Sequence, residues 1–475
     1  MSRWLLNLLF IVLIGSILAL APLGYRTYEP VQKNNQAVEA LNARKYDEAI
    51  SLLSDAMADN PDNGVFRDNL LAAYNGKAVE AEKSAQGDKA LAWYEKGLAL
   101  DPSNQTLLQN YVTALNNMAV HQSNERNFPE SQGMFERAGK RLAEVKDESV
   151  RKEIQKNYSS LLALWGAELM KRDQYEQART AFHQALDLHG TNPTAAIYLG
   201  DLFYESDSYD DARKYYALAM EHDQTNASYL KDRLAMIEDE TKVQALFKKA
   251  EDSKKRFLIQ YVDYTNGTPI EEILEMLNDA YDDVGAKLGI YPARHVNVKI
   301  YEGEDFYKIS RLPEWAVGIF DGKMRLRIED IQSGPAQVRD LLYHEYTHAV
   351  LAMNVKQKVP AWFHEGLAQL MEPQFAESAG EQTQMRAALA RKQLSFEVLK
   401  ESFRELGSRQ DAENAYLLSK YFLASLNRTH GEKKMNTWIA EMTTTESKFE
   451  ESFRRIYGED IESAQEKWIK GQVRK

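Results

Sequence analysis

A pattern of small and aromatic residues that returns five times in the first half limits the folds open to this chain more than any other feature. Tyr46, Ala49, Leu53, Ala56 and Pro61 set the offsets, and Ala90, Tyr94, Gly97 and Pro102 repeat them. Three further copies follow as Phe128, Ser131, Phe135, Ala138, then Tyr175, Ala178, Phe182, Ala185, then Tyr209, Ala212, Tyr216, Ala219. Residues three and four apart share one helix face, so each copy describes a helix with a narrow, small-residue stripe. Small residues let a partner helix approach closely, and the aromatic fills the groove between neighbouring units. Repeated helix pairs stacked into an array are therefore expected, the other reading being ordinary amphipathic helices of an unrelated bundle. The third copy lacks the closing proline and the spacing between copies varies, so some units are expected to be lengthened.

In the last copy Leu199-Gly200 and Phe203 stand where one helix of a pair packs on the next, and on these residues the first half resembles the tetratricopeptide-repeat family. The resemblance implies an α-solenoid over 33–245 whose concave face holds a protein or peptide. Nothing in the sequence marks which residues would touch it.

Ahead of the repeats, Trp4 to Leu23 carries no charge and is rich in Leu, Ile and Ala, the length needed to span a hydrocarbon core. The expectation is an uncleaved membrane anchor over 1–27. A cleaved signal peptide is the competing reading, since Ala19-Leu20-Ala21 has the form of a cleavage site, but Pro22 would then follow the cut. The expected location is the inner (cytoplasmic) membrane, single-pass, with the bulk on the periplasmic or extracytoplasmic side. A net charge of −12 with no compensating basic run excludes nucleic acid as a partner. The chain has no cysteine, so any metal must be held by His, Asp and Glu.

A change of pattern falls between about Thr241 and Lys255, where Lys248-Lys249-Ala250-Glu251 reads as a lysine-rich helix. Beyond it, Phe257–Tyr261 reads as a strand, Pro269 to about Leu288 as an amphipathic helix, and Val296–Tyr301 as a strand. Trp315–Phe320 and Lys323–Arg327 flank Asp321-Gly322, which predicts a hairpin closed by a two-residue turn. Such a hairpin leaves an edge strand free to pair with an extended peptide.

The chemistry is expected at His344-Glu345-Tyr346-Thr347-His348. Ser333-Gly334-Pro335 supplies a helix start, and Leu341, Leu342, Val350 and Leu351 continue an apolar face around the motif. On a helix both imidazoles reach one Zn2+, and Glu345 lies beside them as the general base toward a metal-bound water. Two packed structural histidines are the bland reading. His364 and Glu365, within Pro360 to Gln369, are both candidates for a third ligand.

Trp362, Glu365, Gly366, Leu367 and Ala368 match the W-x-x-E-G-L-A helix of the gluzincin zinc peptidases, and on these residues the last half resembles that group. The resemblance extends from Trp315 to Trp468. It implies a thermolysin-like fold in which His344, His348 and Glu365 ligate zinc and Glu345 is the base. Tyr416 is, by the same resemblance, a candidate oxyanion donor, and equally a core tyrosine. Gluzincins carry a carboxylate four residues past the third ligand to orient a metal histidine, whereas this chain has Gln369.

The expected fold is mainly α: membrane helix over 1–27, tetratricopeptide-type solenoid over 33–245, then an α+β thermolysin-like peptidase domain over 250–475. The expected function is a membrane-anchored zinc endopeptidase acting on extracytoplasmic polypeptides, with the repeats recruiting substrate or a protein partner. The alternative is a repeat-based binding or assembly scaffold with a weak or inactive peptidase-like domain.

Overall fold

In the computed structural model, residues 28–473 are described, apart from 265–266, 312–317, 356, 392–394, 402, 404–405, 407 and 445–447. The expected anchor and Trp315 lie outside the described residues. Among the described residues no helix is long and apolar enough to cross a membrane. The chain divides into two compact units, one ending at Ala196 and the other beginning at Ile197.

The first unit is helical: α1 (28–42), α2 (Tyr46–Asp59), α3 (Gly64–Lys83), α4 (Gly87–Leu100), α5 (Gln105–Asn124), α6 (Phe128–Leu142), α7 (Glu148–Lys171) and α8 (Tyr175–Leu188). Helix α9 (Pro193–Glu205) crosses the division, and α10 (Tyr209–His222) and α11 (Ala227–Gln244) belong to the second unit. The repeated aromatics Tyr46, Phe128, Tyr175 and Tyr209 open α2, α6, α8 and α10. The recurring alanines at 49, 56, 90, 138, 178, 185, 212 and 219 are fully buried. Close approach is visible at Gly76, Gly166 and Gly200, where an added methyl would sit 2.2, 2.5 and 2.6 Å from the rings of Tyr46, Phe182 and Tyr216. Left-handed residues at Arg44, Ala85, Arg126, Asp173 and Asp207 close the turn inside each pair. The uneven spacing comes from the first helix of each pair: α3, α5 and α7 have 20, 20 and 24 residues, against 13 in α9. Side chains of Asn63, Asn104 and Asp147 cap the three long helices by accepting from backbone N–H groups.

The second unit adds a five-stranded sheet of β1 (Lys248–Glu251), β2 (Phe257–Tyr261), β3 (Val296–Tyr301), β4 (Gly318–Phe320) and β5 (Met324–Arg327), in the order β1-β2-β3-β5-β4. The central pairs β2–β3 and β3–β5 are parallel, the outer pairs antiparallel. Helices α12 (Ile270–Leu288), α13 (Gly303–Ser310), α14 (Ile328–Ile331), α15 (Pro335–Asn354), α16 (Ala361–Met371), α17 (Ala379–Ala390), α18 (Arg409–His430), α19 (Glu432–Thr444), α20 (Phe449–Tyr457) and α21 (Ile461–Val473) complete it, with a 3-10 turn at Val398–Lys400.

Two local expectations are corrected. Lys248–Glu251 is a strand, not a helix: it pairs with β2 through a turn in which Asp252 Oδ1 accepts from the backbone N–H of Arg256 and Phe257 at 2.6 and 2.7 Å. Sheet pairing outweighs the weak helix preference of four residues. The β4–β5 hairpin pairs Phe320 with Met324, leaving three residues rather than two in the turn. Lys323 is therefore out of the ladder, its ammonium drawn to the Asp207 carboxylate, and Gly322 takes φ +100°.

The sheet has two unlike faces. Phe257, Ile259, Val296, Val298, Ile300, Met324 and Leu326 enter an apolar core with α12 and α15. Gln260, Asn297, Lys299, Tyr301 and Arg325 alternate with them and are also buried, because residues of the last helical repeat cover that side.

Candidate metal centre and active site

Helix α15 starts at Pro335, with Gly334 at its N-cap in a backbone conformation, φ +116°, that favours glycine. One face of α15, carrying Val338, Leu342 and Tyr346, packs into the core, which fixes the rotation of the helix. His344 and His348 then share a face with ring centroids 4.9 Å apart, and Glu345 beside them is only 3% exposed. Helix α16 is pinned by Trp362, whose ring lies 5.2, 5.5 and 5.9 Å from those of Phe396, Phe422 and Phe449. It also passes so near α18 that an added methyl on Gly366 would sit 2.6 Å from the Ser419 carbonyl oxygen.

These two helices bring Glu365 to the histidines: its Oε2 is 3.4 Å from Nε2 of both His344 and His348. The three ligand atoms lie within 4.8 Å of one another, and among the described residues this is the one such group. The Oε2 atoms of Glu365 and Glu345 are both buried without a hydrogen-bond partner. Two imidazoles and a carboxylate are a common catalytic zinc set, and bonds of about 2.0–2.2 Å in a tetrahedron place ligand atoms about 3.4 Å apart. The residues present therefore fit a zinc ion. His364 lies one position away, its ring centroid 6.0 Å from that of His348, and outside the three-ligand group. Burial, then the charge of His348, push its pKa down to about 4.

The electrostatics follow from burial and proximity. Burial opposes charge on His344, and the Glu365 and Glu372 carboxylates outweigh it, raising its pKa well above the ordinary value. Burial likewise raises Glu365, but His348 and His344 more than reverse this and hold its carboxyl well below the usual range. Glu345 goes the other way: burial dominates the two histidines and its pKa is raised.

Glu372, just past the end of α16, was not read from the sequence. Its Oε1 lies 2.8 Å from His344 Nδ1, a bond that leaves Nε2 to face Glu365. The loop holding it is tied back to α15, one turn before His344, by the backbone N–H of Gln374 donating to Asp340 Oδ1 at 3.0 Å. Gln369, by contrast, has a buried Oε1 with no hydrogen-bond partner. Tyr416 on α18 is partly buried, its ring edge-on to Phe403 at 5.2 Å.

Comparison with known proteins finds a match in each half. Residues 278–473 match the family model of the Peptidase MA superfamily, and residues 169–236 match that of a tetratricopeptide repeat. The chain joins tetratricopeptide repeats to a Peptidase MA superfamily domain. No curated protein matches it. Solved structures are similar to part of the chain. The Pseudomonas aeruginosa pilF structure is 21% identical over 46% of this chain and 89% of its own, with a TM-score of 0.21. A thermophilic TPR protein of Thermus thermophilus is 20% identical over 44% and 98%, with a TM-score of 0.18. The matched superfamily segment holds His344, Glu345, His348 and Glu365.

Proposed function

We propose that the chain is a zinc-dependent peptidase of the gluzincin type, anchored through residues 1–27 in the cytoplasmic membrane and acting on extracytoplasmic polypeptides. The observation that carries this is the convergence of His344, His348 and Glu365 beside a buried Glu345 whose Oε2 has no other partner. Zinc held by these three residues would supply a water of near-neutral pKa and polarise the scissile carbonyl. Glu345 accepts the proton of the attacking water and passes it to the leaving amine, a task that suits a carboxylate whose pKa is raised by burial. Glu372 fixes the tautomer and ring orientation of His344. Strand β4, last in the strand order among the described residues and packed against α15, is the edge that an extended substrate would join. Tyr416, whose ring lies against Phe403, is proposed as the oxyanion donor on the gluzincin resemblance, and the repeats are proposed to recruit substrate or partner. Gln369 stands where gluzincins carry a carboxylate, and Glu372 supplies a carboxylate to His344 in its place.

The test is metal content by mass spectrometry on the parent, His348→Ala and Glu365→Ala, followed by peptide hydrolysis with Glu345→Gln. Near-stoichiometric zinc lost in both ligand variants, with hydrolysis lost in Glu345→Gln at full zinc content, is expected. A zinc-free parent after purification without chelators would sink the reading.

A further inference from the structure

The second unit contains another cluster of buried charges, far from any role in the chemistry above. Lys299 on β3, Lys323 in the hairpin turn and Arg325 on β5 have side chains with no exposure. Facing them are Glu240 of α11, equally buried, and Asp207 in the turn before α10. Lys299 Nζ lies 3.0 Å from Glu240 and 2.9 Å from Asp207, Lys323 pairs with Asp207, and Arg325 pairs with Glu240 and with Asp321 at 3.1 Å. Hydroxyls complete the set: Tyr209 donates to Glu240 at 2.8 Å and accepts from Lys323 at 2.9 Å, and Arg325 donates to Tyr204 at 2.6 Å. Three carboxylates thus meet three cations. The tip of the hairpin touches the same repeat, since an added methyl on Gly322 would lie 3.3 Å from the Glu205 side chain.

Apolar residues of equal size would stabilise such an interface at least as well, because desolvating charges is costly. What a fully paired ionic cluster adds is a single geometry: every charge has partners in one arrangement and loses them in any other. Here that geometry is imposed on Asp321, Lys323 and Arg325, all in the hairpin that carries edge strand β4. We propose that the last helical repeat is a fixed wall of the peptidase domain, in which Asp207 and Glu240 are positioning residues that hold the β4–β5 hairpin through Lys323 and Arg325. The substrate consequence rests on the peptidase reading; the clamp itself does not.

Hydrogen exchange on the zinc-loaded full chain separates the two. With Glu240→Gln, the amides of residues 318–327 exchange at least tenfold faster relative to those of α15 than they do in the parent, and the zinc content stays as in the parent. Tyr209→Phe, which removes one hydroxyl and leaves every charge paired, gives a smaller acceleration confined to the same residues and guards against a Glu240 variant that does not fold. With β-casein as probe, KM rises severalfold and kcat is held. Exchange that is unchanged, or that accelerates equally across the unit, overturns the clamp. A parent that hydrolyses no casein counts against the peptidase reading alone, and the exchange data still decide the clamp.

Discussion

Two polar clusters lie buried in the second unit, and they are satisfied to opposite degrees. Around Glu240 every charged atom has an opposite charge or a hydroxyl within reach. Around Glu365 two carboxylate oxygens have no hydrogen-bond partner, and the histidines approach one of them at 3.4 Å without bonding to it. A burial that is complete and paired fixes architecture. A burial that leaves lone pairs converging on one point is arranged for something not supplied by the chain. The first cluster lies on the polar face of the sheet, and the second on α15 and α16, of which α15 packs into the core with the apolar face.

The contrast can be broken most severely at its functional end. Glu345→Gln is expected to lower peptide hydrolysis by roughly 10²- to 10⁴-fold while leaving zinc content and thermal stability near those of the parent, as read by single-turnover assay and mass spectrometry. A variant that retains most activity would remove the base from the mechanism. At the other cluster, Glu240→Gln is expected to cost about 3–5 kcal/mol of stability in urea unfolding, since two cations lose their buried partner, with zinc stoichiometry unaffected. If instead zinc is lost and stability is kept, the two clusters are not separable in the way described.

Acid sharpens the same difference. Burial works against the charges of Asp207 and Glu240, but Lys323, Lys299 and Arg325, with the hydroxyl of Tyr209, hold both carboxyls well below the ordinary carboxylate range. Their stabilising contribution is present above the unfolded value of about 4 and is lost as pH falls toward the lower folded values. Stability measured by denaturant melts should therefore drop steadily below about pH 4, and the drop should be shallower in Glu240→Gln. Equal slopes would mean that other carboxylates govern acid unfolding.

Smaller effects are expected from supporting residues. Glu372→Gln should weaken zinc binding roughly 10- to 100-fold in competition with a chelator. Gln369→Ala should leave it within about twofold, because Gln369 Oε1 bonds to nothing. The reverse ranking would restore position 369 to the role that Glu372 now holds. Smallest of all is the exposed pair Lys358–Glu401, 3.1 Å apart with side chains 82% and 73% exposed. Lys358→Ala should change stability by less than about 1 kcal/mol, which calibrates the buried cluster against a solvated one.

What the sequence made legible was whatever is encoded at short spacing. The aromatic and alanine stripe marked the repeats because its partners recur in each helix pair. His344, Glu345, His348 and Glu365 were legible because helix geometry at four-residue spacing and one short connection bring them together. Glu372 was not, since its place depends on a loop tied to Asp340 across 34 residues. Nor was the buried face of β3. Val296, Asn297, Val298, Lys299 alternates as a strand with one wet side would, and only tertiary structure shows Tyr209 and Glu240 covering Lys299. Lys248–Glu251 misled because three charged residues and one alanine have no period of their own, and pairing with β2 decides their state.

The ion cluster also sets an order of events during synthesis. Its acidic half is made first, for Arg325 follows Glu240 by 85 residues. At roughly 5–20 residues per second, the helices around Glu240 exist for about 3–12 s before Lys299, 59 residues on, is made, and for about 4–17 s before Arg325 is. Over that interval the carboxylates must stay hydrated. The last repeat therefore cannot bury Asp207 and Glu240 as the earlier repeats bury their alanines, and waits, open on one side, for the strands that close it.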